Sequence, residues 1–122
     1  MTDQSRLIIL DAIDGAGKST VIRAMTDWLE VRDLRLFDLV AYMREYKRLP
    51  EISDPLLQGS DVLLSAEPTY AWIGAAIREE IIKTHPDRQY DGFAAAYAFA
   101  LDSQILFSRV ILPYLAERPH RW

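Results

Sequence analysis

Two kinds of apolar run alternate along the chain. Arg6–Ala12 is apolar on both faces of an extended backbone, as a central strand of a parallel sheet requires. Asp14-Gly15-Ala16-Gly17 ends it. From Lys18 to Arg32 the apolar residues Val21, Ile22, Met25, Trp28 and Leu29 recur at the spacing of one helix face, which predicts an amphipathic helix. Leu34–Leu39 reads as a second strand at a sheet edge, and Val40–Arg48 as a short helix closed by Leu49-Pro50. Residues 50–61, rich in proline, serine and acidic residues, read as a surface loop. Val62–Ala66 is the next strand, stopped by Glu67-Pro68, and Ile73–Thr84 the next helix, ended by His85-Pro86-Asp87. Gly92–Glu117 is a long apolar helix whose expected buried residues are Phe93, Ala96, Tyr97, Leu101, Ile105 and Ile111, with a kink expected at Pro113.

The pattern is α/β: two or three parallel strands flanked by helices. An open sheet of this kind has about five strands. The chain therefore reads as the front portion of a larger domain: one unit over 1–122, truncated at its C-terminus, with residues 34–61 as extra material.

Composition narrows the chemistry. Half of the 122 residues are apolar and 26% charged, which fits one folded domain and not a disordered chain. Fourteen basic against eighteen acidic residues give a net charge of −4, so no basic surface points to nucleic acid. The absence of cysteine excludes disulfides and thiolate metal sites, and His85 and His120 are too few for a histidine-rich one. No apolar stretch reads as a membrane span or signal peptide, and the protein is expected to be cytoplasmic.

Ala12-Ile-Asp-Gly-Ala-Gly-Lys-Ser19 carries the chemistry. It matches the phosphate-binding pattern G-x-x-x-x-G-K-[ST] at every fixed position but the first, where Ala12 stands. Backbone N–H groups from Gly15 to Ser19 would point into one concavity, where the helix N-terminus adds partial positive charge. Gly15 and Gly17 admit backbone angles and a close approach that a side chain would block. Lys18 would bridge the outer phosphates of a nucleotide, and the Ser19 hydroxyl would hold Mg²⁺. The plain alternative is a tight strand-to-helix turn.

Three separated segments resemble the thymidylate kinase family. Leu10-Asp-Ala-Ile-Asp-Gly-Ala-Gly-Lys-Ser-Thr20 is similar to its phosphate loop. Glu67-Pro68-Thr69, followed by Ile73-Gly74 and Ile77-Arg78, resembles the stretch after its second strand. Phe99-Ala-Leu-Asp-Ser103 with Ile111-Leu-Pro-Tyr-Leu115 resembles its long substrate-binding helix. The resemblance implies a P-loop nucleoside-monophosphate kinase, a three-layer α/β/α domain incomplete in this chain. ATP and Mg²⁺ would be its cofactors and dTMP its acceptor. Gly15, Ala16, Gly17, Lys18, Ser19 and Thr20 would hold ATP, with Ser19 on the metal. Asp14 would stand near acceptor and metal, or cap the turn. Glu67 and Pro68 would line the acceptor pocket. Arg78 would grip the acceptor phosphate, or lie solvated beside Glu79 and Glu80. Phe99 would stack on the base, or pack in the core. Tyr70 and Trp72 would flank the pocket or pack at a helix entrance. Catalysis would fall to Lys18, Asp14 and Arg78, and a homodimer would form through the helix 92–117.

Two departures bear on the acceptor. The family has arginine where this chain has Ala66, and a second arginine where it has Ser103. The family's Asp-Arg-Tyr strand and arginine-bearing lid would lie past Trp122. A nucleotide-binding module with little turnover, and a kinase for a different acceptor, are the alternatives.

Overall fold

The structure, a computed structural model, describes residues 5–117. Helix α1 (Lys18–Val31) starts where the spacing predicts. It stops where Asp33 takes a left-handed φ of 56° and the Leu34 N–H closes onto the Leu29 carbonyl, a terminator that satisfies an end-of-helix acceptor. Strand β1 (Leu36–Asp38) follows, and Asp38 serves twice. It ends the strand and caps α2 (Leu39–Tyr46), its carboxylate accepting from Ala41 N–H at 3.0 Å.

Residues 50–61 are not a surface loop. Asp54 caps a one-turn helix, α3 (Pro55–Gln58), with Pro55 in the first turn, where a missing N–H costs nothing. Leu57 is fully buried and Leu49 nearly so. Strand β2 (Val62–Leu64) pairs in parallel with β1, Phe37 opposite Leu63. After the cis Glu67–Pro68 bond, helix α4 (Trp72–Ala76) runs into a π-helical stretch, Ile77–Ile82. Asp91 caps α5 (Gly92–Leu106), accepting from Ala94 N–H at 2.7 Å. The long helix continues through a π-helical stretch, Phe107–Ile111, into α6 (Leu112–Ala116). The wide turns lie immediately before Pro113, whose ring crowds the preceding turn and whose missing N–H cannot close a regular one.

The core lies between the β1–α2–α3 segment and the second half of the long helix. Phe37, Leu39, Met43, Leu49 and Leu57 pack with Leu106, Val110, Ile111 and Tyr114. Residues 34–61 thus supply half of the core rather than an appendage to it. The first half of the long helix departs from expectation in the opposite way. Phe93 and Tyr97 are 78% and 74% exposed, Ala96 and Leu101 are exposed, and Ile105 is half-buried; Ile111 alone of the expected residues is buried.

Two further expectations need correction. Arg6–Ala12 forms no strand: the described residues hold a two-stranded sheet, β1–β2, and Ile8 and Ile9 are 54% and 72% exposed. A strand needs a partner's backbone as well as apolar side chains, and here a cleft separates this run from β2. The architecture is therefore a mixed helical fold around a small parallel sheet, a partial α/β arrangement. Second, one helix, Gly92–Ala116, is long and apolar enough to cross a membrane by length and composition. Both charged residues in it have partners elsewhere in the described chain. Asp102 bonds to Thr69, and Arg109 pairs with Glu51 at 3.1 Å.

Candidate functional site

The glycine loop folds as its sequence requires. Gly15 has φ 79° and Gly17 φ 95°, both left-handed, and Gly17 caps α1 with no side-chain bond. Ala16 N–H closes a turn onto the Ile13 carbonyl at 3.2 Å, and Val21 N–H is the donor that returns to Gly17, at 3.1 Å. The N–H groups of Lys18, Ser19 and Thr20 occupy the first turn, where a helix has no internal acceptors for them. No atom lies within 4 Å of where a Cβ would stand at Gly15 or Gly17. The space where a side chain would stand at these two glycines is thus open. Asp14 through Thr20 are all exposed.

A cleft of about 800 Å³ runs beside the loop. It is lined by Ser5–Leu10, residues of α1, β2, the Ser65–Glu67 segment, and Phe107, Ile111 and Tyr114. Its lining is mostly apolar, with Lys18 and Glu67 among its charged groups, the profile of a site that buries a ligand and orients it by few polar contacts. The Ser65 hydroxyl is buried there without a hydrogen-bond partner.

The second predicted cluster is assembled by hydrogen bonds. Ser103 Oγ donates to Glu67 Oε1 at 2.7 Å. Arg78 donates from Nε to the Thr69 carbonyl at 3.1 Å and from Nη2 to the Pro68 carbonyl. Its guanidinium carbon lies 3.7 Å from the centre of the Tyr70 ring, and that of Arg44 lies 4.4 Å from the same ring. Arg44 also donates to the Tyr70 hydroxyl at 3.0 Å. Arg78 is thus not a solvated helix arginine; it braces the turn that carries Glu67. Tyr70 is packed between two guanidinium groups, while Trp72 is half exposed with a left-handed φ of 41°.

The structure brings Glu67, Pro68, Arg78 and Ser103 together and sets Lys18 on the same cleft as Glu67. Phe99, 38% exposed, lies one helical turn before Ser103 and outside the cleft lining, and Asp14, Gly15, Ala16, Gly17, Ser19 and Thr20 also lie outside it. Two residues escaped the sequence reading. Arg44 gave no local signal, because its role depends on a tyrosine twenty-six positions away. Asp102 gave one: a carboxylate inside a long apolar helix needs a reason to be there.

No protein-family model and no solved structure matches the chain. Among curated proteins it is 30% identical over 112 residues to a probable thymidylate kinase of Pyrococcus abyssi. It is 28% identical over 115 residues to a probable thymidylate kinase of Pyrococcus horikoshii. Each match covers 90% of this chain and 42% of the relative. The likeness is distant, and the chain spans less than half the length of the curated relatives it matches. It suggests a kinase-like phosphotransferase at the level of the family.

Proposed function

We propose that the chain belongs to an ATP- and Mg²⁺-dependent nucleoside-monophosphate kinase of P-loop type, with dTMP as its first expected acceptor. The observation that carries the reading is the loop itself: two left-handed glycines open onto clear space and deliver Lys18 to a cleft that also holds Glu67. The likeness to the two probable thymidylate kinases supports it.

In this reading the first-turn N–H groups and Gly15–Gly17 receive the donor phosphates of ATP. Lys18 supplies a point charge to the outer phosphates. The Ser19 hydroxyl, a hard oxygen suited to Mg²⁺, would hold that ion, with Asp14 expected near acceptor and metal. Magnesium, when bound, neutralises phosphate charge. Glu67 and Pro68 form the acceptor edge across the cleft. Arg78 spends two donors on backbone carbonyls and keeps the rest of its guanidinium for an anion. Phe99 offers an exposed ring to a base. The exposed stripe Phe93, Tyr97 and Leu101 supports a homodimer through the helix 92–117, and the enzyme would work in the cytoplasm.

One observation favours a second reading. Where the family would place a guanidinium, Ser103 is bonded to Glu67, and no positive charge comes with it. A nucleotide-binding module with little turnover, or a kinase for another acceptor, would tolerate that exchange. An ADP-release assay with ATP, Mg²⁺ and dTMP, dUMP, UMP, CMP, AMP or GMP separates them. Turnover with dTMP supports the first reading, turnover with another acceptor moves the substrate, and ATP binding without transfer supports the module. In all three, Lys18→Ala is expected to weaken ATP binding by about tenfold or more, the loss of one charge-assisted phosphate contact. Unchanged affinity would remove the loop from the mechanism.

A further inference from the structure

The turn that carries Glu67 is held from inside the protein by a carboxylate to which the proposed chemistry gives no part. Asp102, on α5, is 4% exposed. One of its oxygens accepts the Thr69 N–H and the other the Thr69 hydroxyl, both at 2.7 Å. Thr69 is 2% exposed and fixed from three more directions. Its hydroxyl lies 3.1 Å from the Ala71 carbonyl, and its own carbonyl receives Arg78 Nε. Behind it stands Gly74, where any Cβ would overlap Thr69 Oγ1. The next residue on the helix, Ser103, bonds to Glu67. Neighbouring side chains of one helix therefore grip the first and third residues of the Glu67–Pro68–Thr69 turn.

The choice of side chain is specific. A backbone N–H and a hydroxyl present two donors, and a carboxylate meets both with acceptors. Burying a carboxylate is costly unless its hydrogen bonds are made, so packing alone would favour an apolar residue here. We propose that Asp102 is a positioning residue for the acceptor side of the site: by clamping Thr69 it fixes where Glu67 stands at the edge of the cleft. The inference rests on the reading of Glu67–Pro68 as that edge.

Asparagine should preserve the clamp. Its carbonyl can take the Thr69 N–H while its amide donates to Thr69 Oγ1, whose proton then goes to the Ala71 carbonyl. The test compares the unmodified chain with Asp102→Ala and Asp102→Asn by amide hydrogen exchange, ATP affinity and acceptor kinetics. Asp102→Ala is expected to lower protection at Thr69 by about tenfold while the rest of α5 keeps its own, as loss of a buried bond to one amide predicts. The acceptor KM is expected to rise by about tenfold, with ATP affinity within about twofold and Asp102→Asn restoring both Thr69 protection and KM to within about threefold. Loss of protection along all of α5, parallel loss of ATP affinity, a freed Thr69 with unchanged acceptor KM, or an asparagine variant as impaired as alanine would each overturn the proposal. If the unmodified chain phosphorylates no acceptor, the kinase reading fails separately. Exchange then decides the clamp: loss confined to Thr69 and its neighbours supports it, and a spread along the helix overturns it.

Discussion

The segment from Leu7 to Val31 and the body from Leu36 to Leu115 draw on similar apolar residues, but the packed core is built in the body. In the first, Ile9, Ile13 and Val31 are 72%, 83% and 87% exposed, and Leu29 is the buried residue of α1. In the second, Leu39, Met43, Leu57, Leu106 and Val110 have no exposed surface. The difference follows from partners. β1, α2 and α3 each find the long helix, so their side chains meet packed surface. The loop segment borders a cleft, with Leu29 near the end of α1 as its buried residue. It also carries what a packed core forbids, a row of backbone donors free to face an anion. The packed core lies in one region and the glycine loop in the other, while Glu67, Arg78 and Ser103 bring the rest of the candidate site to the body's side of the cleft.

The largest test of that division is truncation on both sides. Leu57→Ala, in the body, is expected to cost about 2–5 kcal/mol, a lost transfer term plus a cavity. Ile9→Ala, in the loop segment, should stay within about 0.5 kcal/mol as an exposed change. Urea unfolding of both variants measures the contrast, and equal losses would abolish it. Gly17→Ala is the complementary experiment. A side chain at φ 95° costs about 1–2 kcal/mol, and under the proposed reading it would also crowd a phosphate bound over the loop. Calorimetry should show ATP affinity reduced by more than that strain accounts for, with a modest shift in Tm.

The smallest effect lies within the body. The Tyr90 hydroxyl donates to Glu80 at 2.9 Å, while Arg88 pairs with the same carboxylate at 3.5 Å. The bond to Glu80 raises the Tyr90 pKa above the ordinary tyrosine value, with desolvation and the Glu80 charge adding to it. A raised folded-state pKa means that this contribution to stability is whole below the unfolded pKa and is lost as pH climbs through the folded one. Phenolate absorbance should therefore titrate at lower pH in Glu80→Gln than in the unmodified chain, with a correspondingly small change in stability.

Much of the local structure was legible in the sequence. The start of α1, the left-handed glycines and the two strands follow from spacing and residue type. The Asp54-Pro55 cap of α3 was also written there, in a segment whose composition resembled a loop. What the sequence lacked was pairing information. Arg6–Ala12 has the composition of a central strand, yet strand formation depends on a neighbour that no local pattern specifies. The long helix is apolar on most faces, so its pattern could not say that Phe93 and Tyr97 face solvent while Val110 and Tyr114 face the core. Glu67, Arg78 and Ser103 could be matched to a resemblance, but the Ser103–Glu67 bond and the role of Asp102 depend on contacts across 33 to 36 positions of chain.

The two strands are three residues each, and among the described residues each has the other as its one strand partner. Open edges invite foreign chains to add to a sheet, and shortness is one of the ways proteins discourage it. A template this brief offers an intruding peptide few ladder bonds and little register to copy. Storage at high concentration should therefore yield reversible contacts between side chains rather than growth of a cross-β fibre from this sheet.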